Sequence, residues 1–371
     1  MKLLLSNKTG HNPDYFILSA VLMLVIFGLF ALASASSDLG KIKFDDSYYF
    51  LKKQLTFGVS LGILLFFLGY KIYYKNYKRW ALPLLLLNVS ALLLTLFSPW
   101  GITRGGSSRW LGIGGVEFQP SEILKIIFII YLAAWLSSSK VYRKRDFLKG
   151  FVPFLILSGF ICALLLAEPA TSTVLIIFAS ALVMYFMSGA RFHYIGLAVL
   201  LSVAALGVMI YVTSYRFERL ASFLNRGDDA LGADFHINQA LISLGSGGLT
   251  GVGFGNSTNK YLYLPESMGD SIFVIVGEEF GFIGAAVLIT VFFIVVLKGF
   301  FLSRNVRDDF GRLLLIGFVS VIGIQTFINV AALSGLIPLT GVTLPFISYG
   351  SSSLVSFMLM AGIMVNISRY S

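Results

Sequence analysis

The chain consists largely of apolar stretches that are separated by short polar segments. A bilayer core is about 30 Å thick, so an α-helix needs about 20 apolar residues to cross it. Stretches of this kind lie near residues 15–34, 54–72, 81–98, 120–137, 151–167, 171–189, 193–214, 271–301, 311–333 and 350–368. The pattern predicts an all-α polytopic membrane protein, with about ten transmembrane helices and a single membrane domain over residues 1–371. At Glu168-Pro169 it predicts either a tight turn between two helices or a kink in a longer hairpin.

The basic residues between the apolar stretches indicate which loops face the cytoplasm. With the N-terminus inside, the inside loops carry 17 Lys and Arg residues and the short outside loops carry 6. This bias predicts that both termini are cytoplasmic and that the polar segments 99–119, 215–270 and 334–349 lie outside. The second of these, between the seventh and eighth helices, contains aromatic residues, Leu and Ile, so we expect a folded cap or a re-entrant element there.

Composition supports the membrane assignment and narrows the function. Hydrophobic residues make up 57% of the chain and charged residues 12%, whereas a soluble domain averages about 25% charged residues. The net charge of +10 is dispersed between the apolar stretches, which argues against a nucleic-acid partner. A lone cysteine and three widely spaced histidines predict neither a disulfide framework nor a metal site. Because P-loop, dinucleotide and nucleophile-elbow motifs are absent from the sequence, an ATP-driven pump, a dinucleotide enzyme and an elbow hydrolase are not indicated.

Basic side chains near the outer ends of the helices are candidates for binding an anion. Arg109, beside Trp110, is either an aromatic-belt anchor or a phosphate-binding guanidinium. Arg216 and Arg219 are three residues apart and share one face of a helical turn, which suits a phosphate as well as a lipid headgroup. Lys125 forms an i, i+3 pair with Glu122, which predicts either a snorkelling interfacial pair or the charged lining of a cavity.

Acidic residues cluster at the start of the eighth helix. Glu266 and Asp270 precede it, while Glu278 and Glu279 lie two turns inside an otherwise apolar stretch, where carboxylates are costly. Asp270 is a candidate general base, and the competing interpretation is a helix N-cap. Upstream, the glycine series over 245–255 is either a flexible turn or a segment whose backbone approaches a ligand.

The last outer segment, residues 334–350, has no charged residue, and its prolines and glycines prevent a continuous helix. We expect a re-entrant loop, buried against protein or lining a cavity, whose hydroxyl groups and backbone are available to a polar ligand. Ser348 is one of these hydroxyl groups.

Taken together, these strings resemble the SEDS family (shape, elongation, division and sporulation), whose members are FtsW, RodA and SpoVE. The motifs that carry the resemblance are Ser34-Ala-Ser36, Arg109-Trp110, Gln119-Pro-Ser-Glu122 with Lys125, Tyr215-Arg216-x-x-Arg219, the glycine series through Gly255-Asn-Ser257 and Lys260, Leu264-Pro-Glu266 with Asp270, Gly277-Glu-Glu279, and Leu344-Pro-Phe-Ile-Ser-Tyr-Gly350. His236-Ile-x-Gln239 and Phe346-Ile-Ser-Tyr favour the FtsW branch. The chain departs from the family pattern at Met268-Gly269, where the family usually has His-Thr.

The resemblance implies a peptidoglycan glycosyltransferase that polymerises lipid II on the outer face of the bacterial cytoplasmic membrane for septal wall synthesis, with 215–270 as its catalytic loop. It implies that Asp270 is the catalytic base. The substrate-binding candidates are Arg109, Glu122, Lys125, Arg216, Arg219, Lys260, Glu266 and Ser348. The implied partners are lipid II, the nascent glycan, membrane lipid, a class B penicillin-binding protein and other divisome proteins. It also allows a divalent cation, Mg²⁺ or Mn²⁺, at the pyrophosphate, although the sequence shows no dedicated metal cage. A lipid II flippase, a RodA-type elongation polymerase and an inactive divisome scaffold are the alternatives.

Overall fold

The computed structural model describes residues 12–104, 107–113, 116–138, 146–224, 235–260 and 264–371. Helices dominate these ranges. The helices are α1 (Tyr15–Phe44), α2 (Tyr49–Lys71), α3 (Lys75–Phe97), α4 (Pro120–Leu136), α5 (Phe147–Ala167), α6 (Thr171–Met187), α7 (Phe192–Val212), α8 (Ser214–Leu224), α9 (Phe235–Ser246), α10 (Ile272–Asn305), α11 (Asp309–Leu333) and α12 (Ser351–Ser368).

Within the described residues, eight helices are long and apolar enough to cross a membrane: α1, α2, α3, α5, α7, α10, α11 and α12. This confirms the polytopic, all-helical membrane fold. The helices α4 and α6 coincide with two further predicted spans but have 17 residues each, so the total of ten stays a prediction. The chain turns at Glu168-Pro169 between α5 and α6, which decides between the two interpretations of that dipeptide in favour of a tight turn.

Helix α1 continues to Phe44, ten residues beyond the predicted end of the first span. At about 1.5 Å per residue, its 30 residues extend about 45 Å, which exceeds the thickness of a bilayer core. The apolar pattern ends at Ser34 because Ser34, Ala35 and Ser36 are small or polar, yet all three are buried against the protein. Tertiary packing therefore extends the helix beyond the segment that its hydropathy predicts.

A small antiparallel sheet, which the sequence did not predict, follows α3. Its strands are β1 (Gly101–Arg104), β2 (Ser107–Ile113) and β3 (Val116–Phe118), in the order β1-β2-β3. In this register Ile102 pairs with Trp110. The strands have three to seven residues and lie among glycines, so they are too short for an alternating pattern to be recognised.

The helices differ greatly in how much of their surface the protein covers. Most residues of α11 and α12 are buried, so these two helices form the centre of the bundle. In α12, a Cβ atom on Gly362 would lie 2.2 Å from the carbonyl oxygen of Phe66, which shows how closely α12 approaches α2. By contrast, only Tyr194 and Ala198 of α7 are buried, so nearly all of α7 lies on the surface of the protein.

Helix α10 is interrupted at Gly281, whose φ of 67° and ψ of −167° are not helical. The glycine-rich segment after α9 forms backbone hydrogen bonds with the residues of α10 on both sides of this interruption. The amides of Val252 and Gly253 donate to the carbonyls of Glu278 and Glu279, at 3.0 Å each. In return, the amides of residues 282 and 283 donate to the carbonyls of residues 248 and 249, at 2.9 and 3.1 Å. The glycines therefore permit close approach between two backbone segments of the protein itself.

Candidate active site

Asp270 lies two residues before α10 and faces the re-entrant loop. The helix cap position is Ser271, one residue later, so the interpretation of Asp270 as an N-cap is wrong. Asn329 of α11 donates from Nδ2 to the carbonyl of Asp270 at 2.8 Å and to the carbonyl of Val342 at 2.6 Å. A Cβ atom built on Gly341 would lie 3.6 Å from Oδ2 of Asp270. The half-buried carboxylate therefore lies beside the uncharged loop that follows α11.

The surroundings of Asp270 suit a group that accepts a proton near neutral pH. Burial raises its pKa, and the negative charge of Glu266 raises it further. A hydrogen bond from Ser271 and the positive charge of Arg219 act in the opposite direction, and the resulting pKa is about 7. A general base is most effective when its pKa lies near the working pH. Glu266 and Arg219 thus lie within electrostatic reach of Asp270, and its role as the general base stays a prediction.

Two of the candidate arginines converge on the turn between α5 and α6. Arg109, on β2, donates from Nε to the carbonyl of Glu168 at 3.0 Å and from Nη2 to the carbonyl of Pro169 at 2.5 Å. Arg216, on α8, donates from Nε to Oγ1 of Thr171 at 3.0 Å. Arg109 and Arg216, more than 100 positions apart in the chain, therefore meet around the turn and the first residue of α6.

The same turn is connected to the loop that covers Asp270. Oγ of Ser172 donates to the carbonyl of Thr340 at 2.5 Å. The neighbouring carbonyl, that of Leu339, accepts a hydrogen bond of 2.9 Å from Nη1 of Arg219. A continuous set of contacts thus joins Arg109, Arg216 and Arg219 to the residues that face Asp270. Cationic side chains and one carboxylate joined in this way are the arrangement expected for a site that binds a phosphate-containing substrate and removes a proton.

Glu168 is a buried carboxyl group in this turn that the sequence analysis treated only as part of a helix break. Its Oε1 accepts a hydrogen bond of 2.5 Å from Oγ1 of Thr95. Burial raises the pKa of Glu168 to about 7, although the Thr95 hydrogen bond and the charge of Arg109 lower it. The side chain thus ties α3 to the turn that holds Arg109. The adjacent proline predicts a chain reversal, but nothing in the local sequence indicates the contact between Glu168 and Thr95.

Glu122 and Lys125 form an ion pair in the interior of the bundle, with 2.8 Å between Nζ and the carboxylate. Lys125 is only 1% exposed, so the interpretation of a snorkelling interfacial pair is wrong. Nζ of Lys125 also donates to Oε1 of Gln325 at 2.8 Å, and Nε2 of Gln325 donates to the carbonyl of Thr343 at 2.9 Å. The pair therefore supports the re-entrant loop from α4 through α11, and direct contact with a substrate stays a prediction.

Lys260 and the two carboxylates of α10 are engaged with each other and with nearby loops. Nζ of Lys260 lies 3.5 Å from Oε1 of Glu279 and donates to the carbonyl of Gly255 at 2.5 Å. Oγ of Ser34 also donates to Glu279. Glu278 accepts hydrogen bonds from Oγ of Ser257 at 2.6 Å and from other groups of the same loop. These contacts give the buried carboxylates a structural role, and binding of a substrate by Lys260 stays a prediction.

Ser348 shapes the re-entrant loop. Its Oγ accepts a hydrogen bond of 2.8 Å from the amide of Leu344, and the residue is buried. The amide of Tyr349 donates to the carbonyl of Met268 at 2.9 Å, which joins this loop to the segment that ends in Asp270. The loop runs without a helix from α11 to α12, as its prolines and glycines predicted. Contact between Ser348 and a ligand stays a prediction.

A divalent cation at this site also stays a prediction. Among the residues that the structure describes, no group of three or more His, Cys, Asp or Glu side chains is placed to hold a metal ion.

Comparison with known proteins agrees with the fold. A family model described as "Cell cycle protein", covering FtsW, RodA and SpoVE, matches residues 15–371. Stage V sporulation protein E of Bacillus subtilis (strain 168) is 36% identical over 362 residues, which is 97% of this chain and 98% of the relative. A probable peptidoglycan glycosyltransferase FtsW of Geobacter sp. (strain M18) is 35% identical over 355 residues, 96% of each chain.

Solved structures resemble the fold over nearly its whole length. One chain comes from work on structural coordination of polymerization and crosslinking by a peptidoglycan synthase complex. It superposes with a TM-score of 0.79 at 26% identity, covering 96% of this chain and 98% of its own. The crystal structure of RodA from Thermus thermophilus gives a TM-score of 0.70 at 24% identity, with 97% and 98% coverage, and supports the fold alone. From the matched family model and the full-length relatives, we conclude that this chain is a member of the FtsW, RodA and SpoVE family.

Proposed function

We propose that this chain is a peptidoglycan glycosyltransferase that polymerises lipid II into glycan strands on the outer face of the bacterial cytoplasmic membrane. The observation that carries the proposal is Asp270, a half-buried carboxylate with a pKa of about 7, next to a loop that also contacts Arg219. Curated relatives about 35% identical to this chain bear the name probable peptidoglycan glycosyltransferase FtsW. Residue chemistry and relatives thus point to the same activity.

In the proposed reaction, the 4-hydroxyl of the acceptor sugar attacks C1 of the donor sugar. The new bond joins this oxygen to C1, the bond between C1 and the pyrophosphate oxygen breaks, and Asp270 accepts the hydroxyl proton. Negative charge accumulates on the departing undecaprenyl pyrophosphate. Arg109, Arg216 and Arg219 are held in place by backbone carbonyls and a hydroxyl group, so they provide fixed positive charge without reorganising during the reaction.

We propose further that both termini face the cytoplasm and that the chain works with a class B penicillin-binding protein and other divisome proteins in septal synthesis. The bias of basic residues supports this orientation. A structural neighbour from a complex described as coordinating polymerization with crosslinking supports a transpeptidase partner. The localisation of a fluorescent fusion of this chain tests the role. Fluorescence at the septum would support the division role, whereas fluorescence along the side wall would assign the elongation role instead.

The decisive experiment reconstitutes the full chain with its transpeptidase partner in liposomes that contain lipid II. Glycan strands, resolved on gels, are expected from the native chain and not from Asp270→Asn. The matched control is Asp46→Asn, which removes a carboxylate that forms a partly exposed ion pair with Lys52 and should leave synthesis intact. Equal synthesis by Asp270→Asn would refute the base assignment. Transfer of fluorescent lipid II between leaflets without polymerisation would show a flippase instead.

A further inference from the structure

A second polar side chain stands behind Asp270, on a helix that the reaction above does not use. Nε2 of His236, on α9, lies 2.8 Å from Oγ of Ser271. The same Oγ lies 3.3 Å from Oδ1 of Asp270 and 3.0 Å from the carbonyl oxygen of Pro265. One hydroxyl group therefore stands between a histidine ring and the proposed base.

The hydrogen-bonding capacity of this hydroxyl group limits how protons can be distributed among His236, Ser271 and Asp270. Ser271 has one proton to donate and two lone pairs that accept. If Nε2 of His236 carries a proton, it donates to Oγ, and the serine proton remains available to Asp270 or to Pro265. If Nε2 lacks a proton, Ser271 must donate to the ring, and the carboxylate of Asp270 loses this donor. The tautomer of His236 thus decides whether Ser271 stabilises ionised Asp270.

We propose that His236 is a positioning residue that acts on Asp270 through Ser271, donating from Nε2 to Oγ so that the serine proton is directed to the carboxylate. The inference rests on the function proposed above. A hydrogen bond to an ionised acceptor is stronger than one to a neutral carbonyl, so the serine proton turns toward Asp270 while this residue is ionised.

The same network accommodates the proton that Asp270 takes up. Once protonated, Asp270 donates from its carboxyl group to Oγ of Ser271, and the serine proton turns to the carbonyl of Pro265. Oγ then accepts from both Asp270 and His236, which uses its two lone pairs, and no donor is left without an acceptor. The hydroxyl group of Ser271 therefore serves both protonation states, provided that His236 remains the donor.

The groups around the network favour a neutral ring. Burial lowers the pKa of His236, and the positive charge of Arg219 lowers it further. Glu266 and Arg219 are the charged side chains that act on Asp270, from the preceding segment and from α8. The loop over 334–350 contributes no charge, and α11 contributes the neutral Asn329. A neutral histidine has two tautomers, so Nε2 either donates to Ser271 or accepts from it, whereas Nε2 of a charged ring always donates.

The test compares pH–rate profiles of glycan synthesis by the full chain with its transpeptidase partner. We expect Ser271→Ala to shift the acid limb upward by about one pH unit, which makes synthesis about tenfold slower on the acid side of that limb. His236→Ala keeps the serine hydroxyl but removes the donor that polarises it, so the limb should shift in the same direction by less. Well above the limb, their rates should approach that of the native chain. His236→Gln and Ser271→Thr retain the donor and the hydroxyl group, so both should restore the native profile. The double alanine variant should shift the limb no further than Ser271→Ala alone, because His236 acts only through Ser271.

A control histidine and an activity-independent measurement complete the design. His193→Ala removes an exposed ring that contacts Tyr194 and should leave the profile unchanged. Difference infrared titration of the protonated Asp270 carboxyl, identified by its loss in Asp270→Asn, should show the same shift in His236→Ala. A uniform loss of rate at every pH, or an unshifted titration, would overturn the inference. If the native chain makes no glycan, the proposed function fails, and the titration still decides whether His236 acts on Asp270.

Discussion

The segment between α9 and α10 predicts a large and specific effect of one added methyl group. Gly251 has a φ of +84°, and a Cβ atom on it would lie 2.2 Å from the carbonyl oxygen of Glu279. This oxygen belongs to a backbone that is itself fixed by hydrogen bonds, so it cannot rotate away as a side chain would. Gly251→Ala should therefore separate the glycine-rich segment from the interruption in α10.

The expected loss of stability follows from the contacts at that point. A residue other than glycine in the left-handed region costs about 1–2 kcal/mol. Separating the segments also breaks the hydrogen bonds from Val252 and Gly253 to the carbonyls of residues 278 and 279, each contributing about 1 kcal/mol. We therefore expect Gly251→Ala to lower the free energy of unfolding by about 3–4 kcal/mol, measured by equilibrium unfolding in mixed micelles.

Two glycines nearby separate the contributions. A Cβ atom on Gly248, with a φ of +53°, would meet no atom within 4 Å, so Gly248→Ala should cost only the torsional part, about 1–2 kcal/mol. Gly245 lies in α9 and also has open space around it, so Gly245→Ala should stabilise the protein by about 0.5–1 kcal/mol. Equal stability of the Gly251→Ala and Gly248→Ala variants would show that the close approach between the two segments is not a tight contact.

Three further results are expected. Because Asp270 must be ionised to accept a proton and its pKa is raised from 3.8 to about 7, glycan synthesis should fall as the pH drops through about 7, and a profile flat to pH 5 would contradict this. Lys260→Met leaves Glu279 buried without its ion-pair partner and should lower the unfolding free energy by about 3–5 kcal/mol, whereas adding Glu279→Gln should recover most of it. Arg216→Ala should raise KM for lipid II about tenfold in steady-state assays. Arg216→Lys should not restore the native KM, because an ammonium lacks the planar set of donors. Native kinetics of Arg216→Ala would show that Arg216 does not belong to the site.

Much of the fold can be predicted from the sequence, because each helix that spans a membrane needs a long apolar stretch. Apolar length alone predicted most of the spans, and the uncharged 334–350 segment was correctly expected to be irregular. The interruption in α10 was not predicted, because residues 272–305 read as one apolar run. It depends on hydrogen bonds from a different part of the chain, and hydropathy does not report such pairing.

The site was predictable in its chemistry and less so in its connections. Asp270 and the arginines could be selected because charged groups beside a membrane are costly and therefore informative. The arginines contact the turn between α5 and α6 and the loop over 334–350. These contacts depend on helix packing, which brings together residues far apart in sequence. His236 was noted only as part of a motif, since a single histidine on a short helix has many ordinary explanations. Only the packing of α9 against the start of α10 places its ring beside Ser271.

Helix α7 gives the bilayer itself a role in the site. Only Tyr194 and Ala198 of this helix are buried, so the rest of the protein restrains it little, and it leads directly into α8, which carries Arg216 and Arg219. A change in membrane thickness alters the tilt of a helix that neighbouring protein does not restrain. Hydrogen bonds to Thr171 and to the carbonyl of Leu339 hold Arg216 and Arg219 in the site, so tilting of α7 strains these contacts, and membrane thickness acts on the site through the junction of α7 and α8.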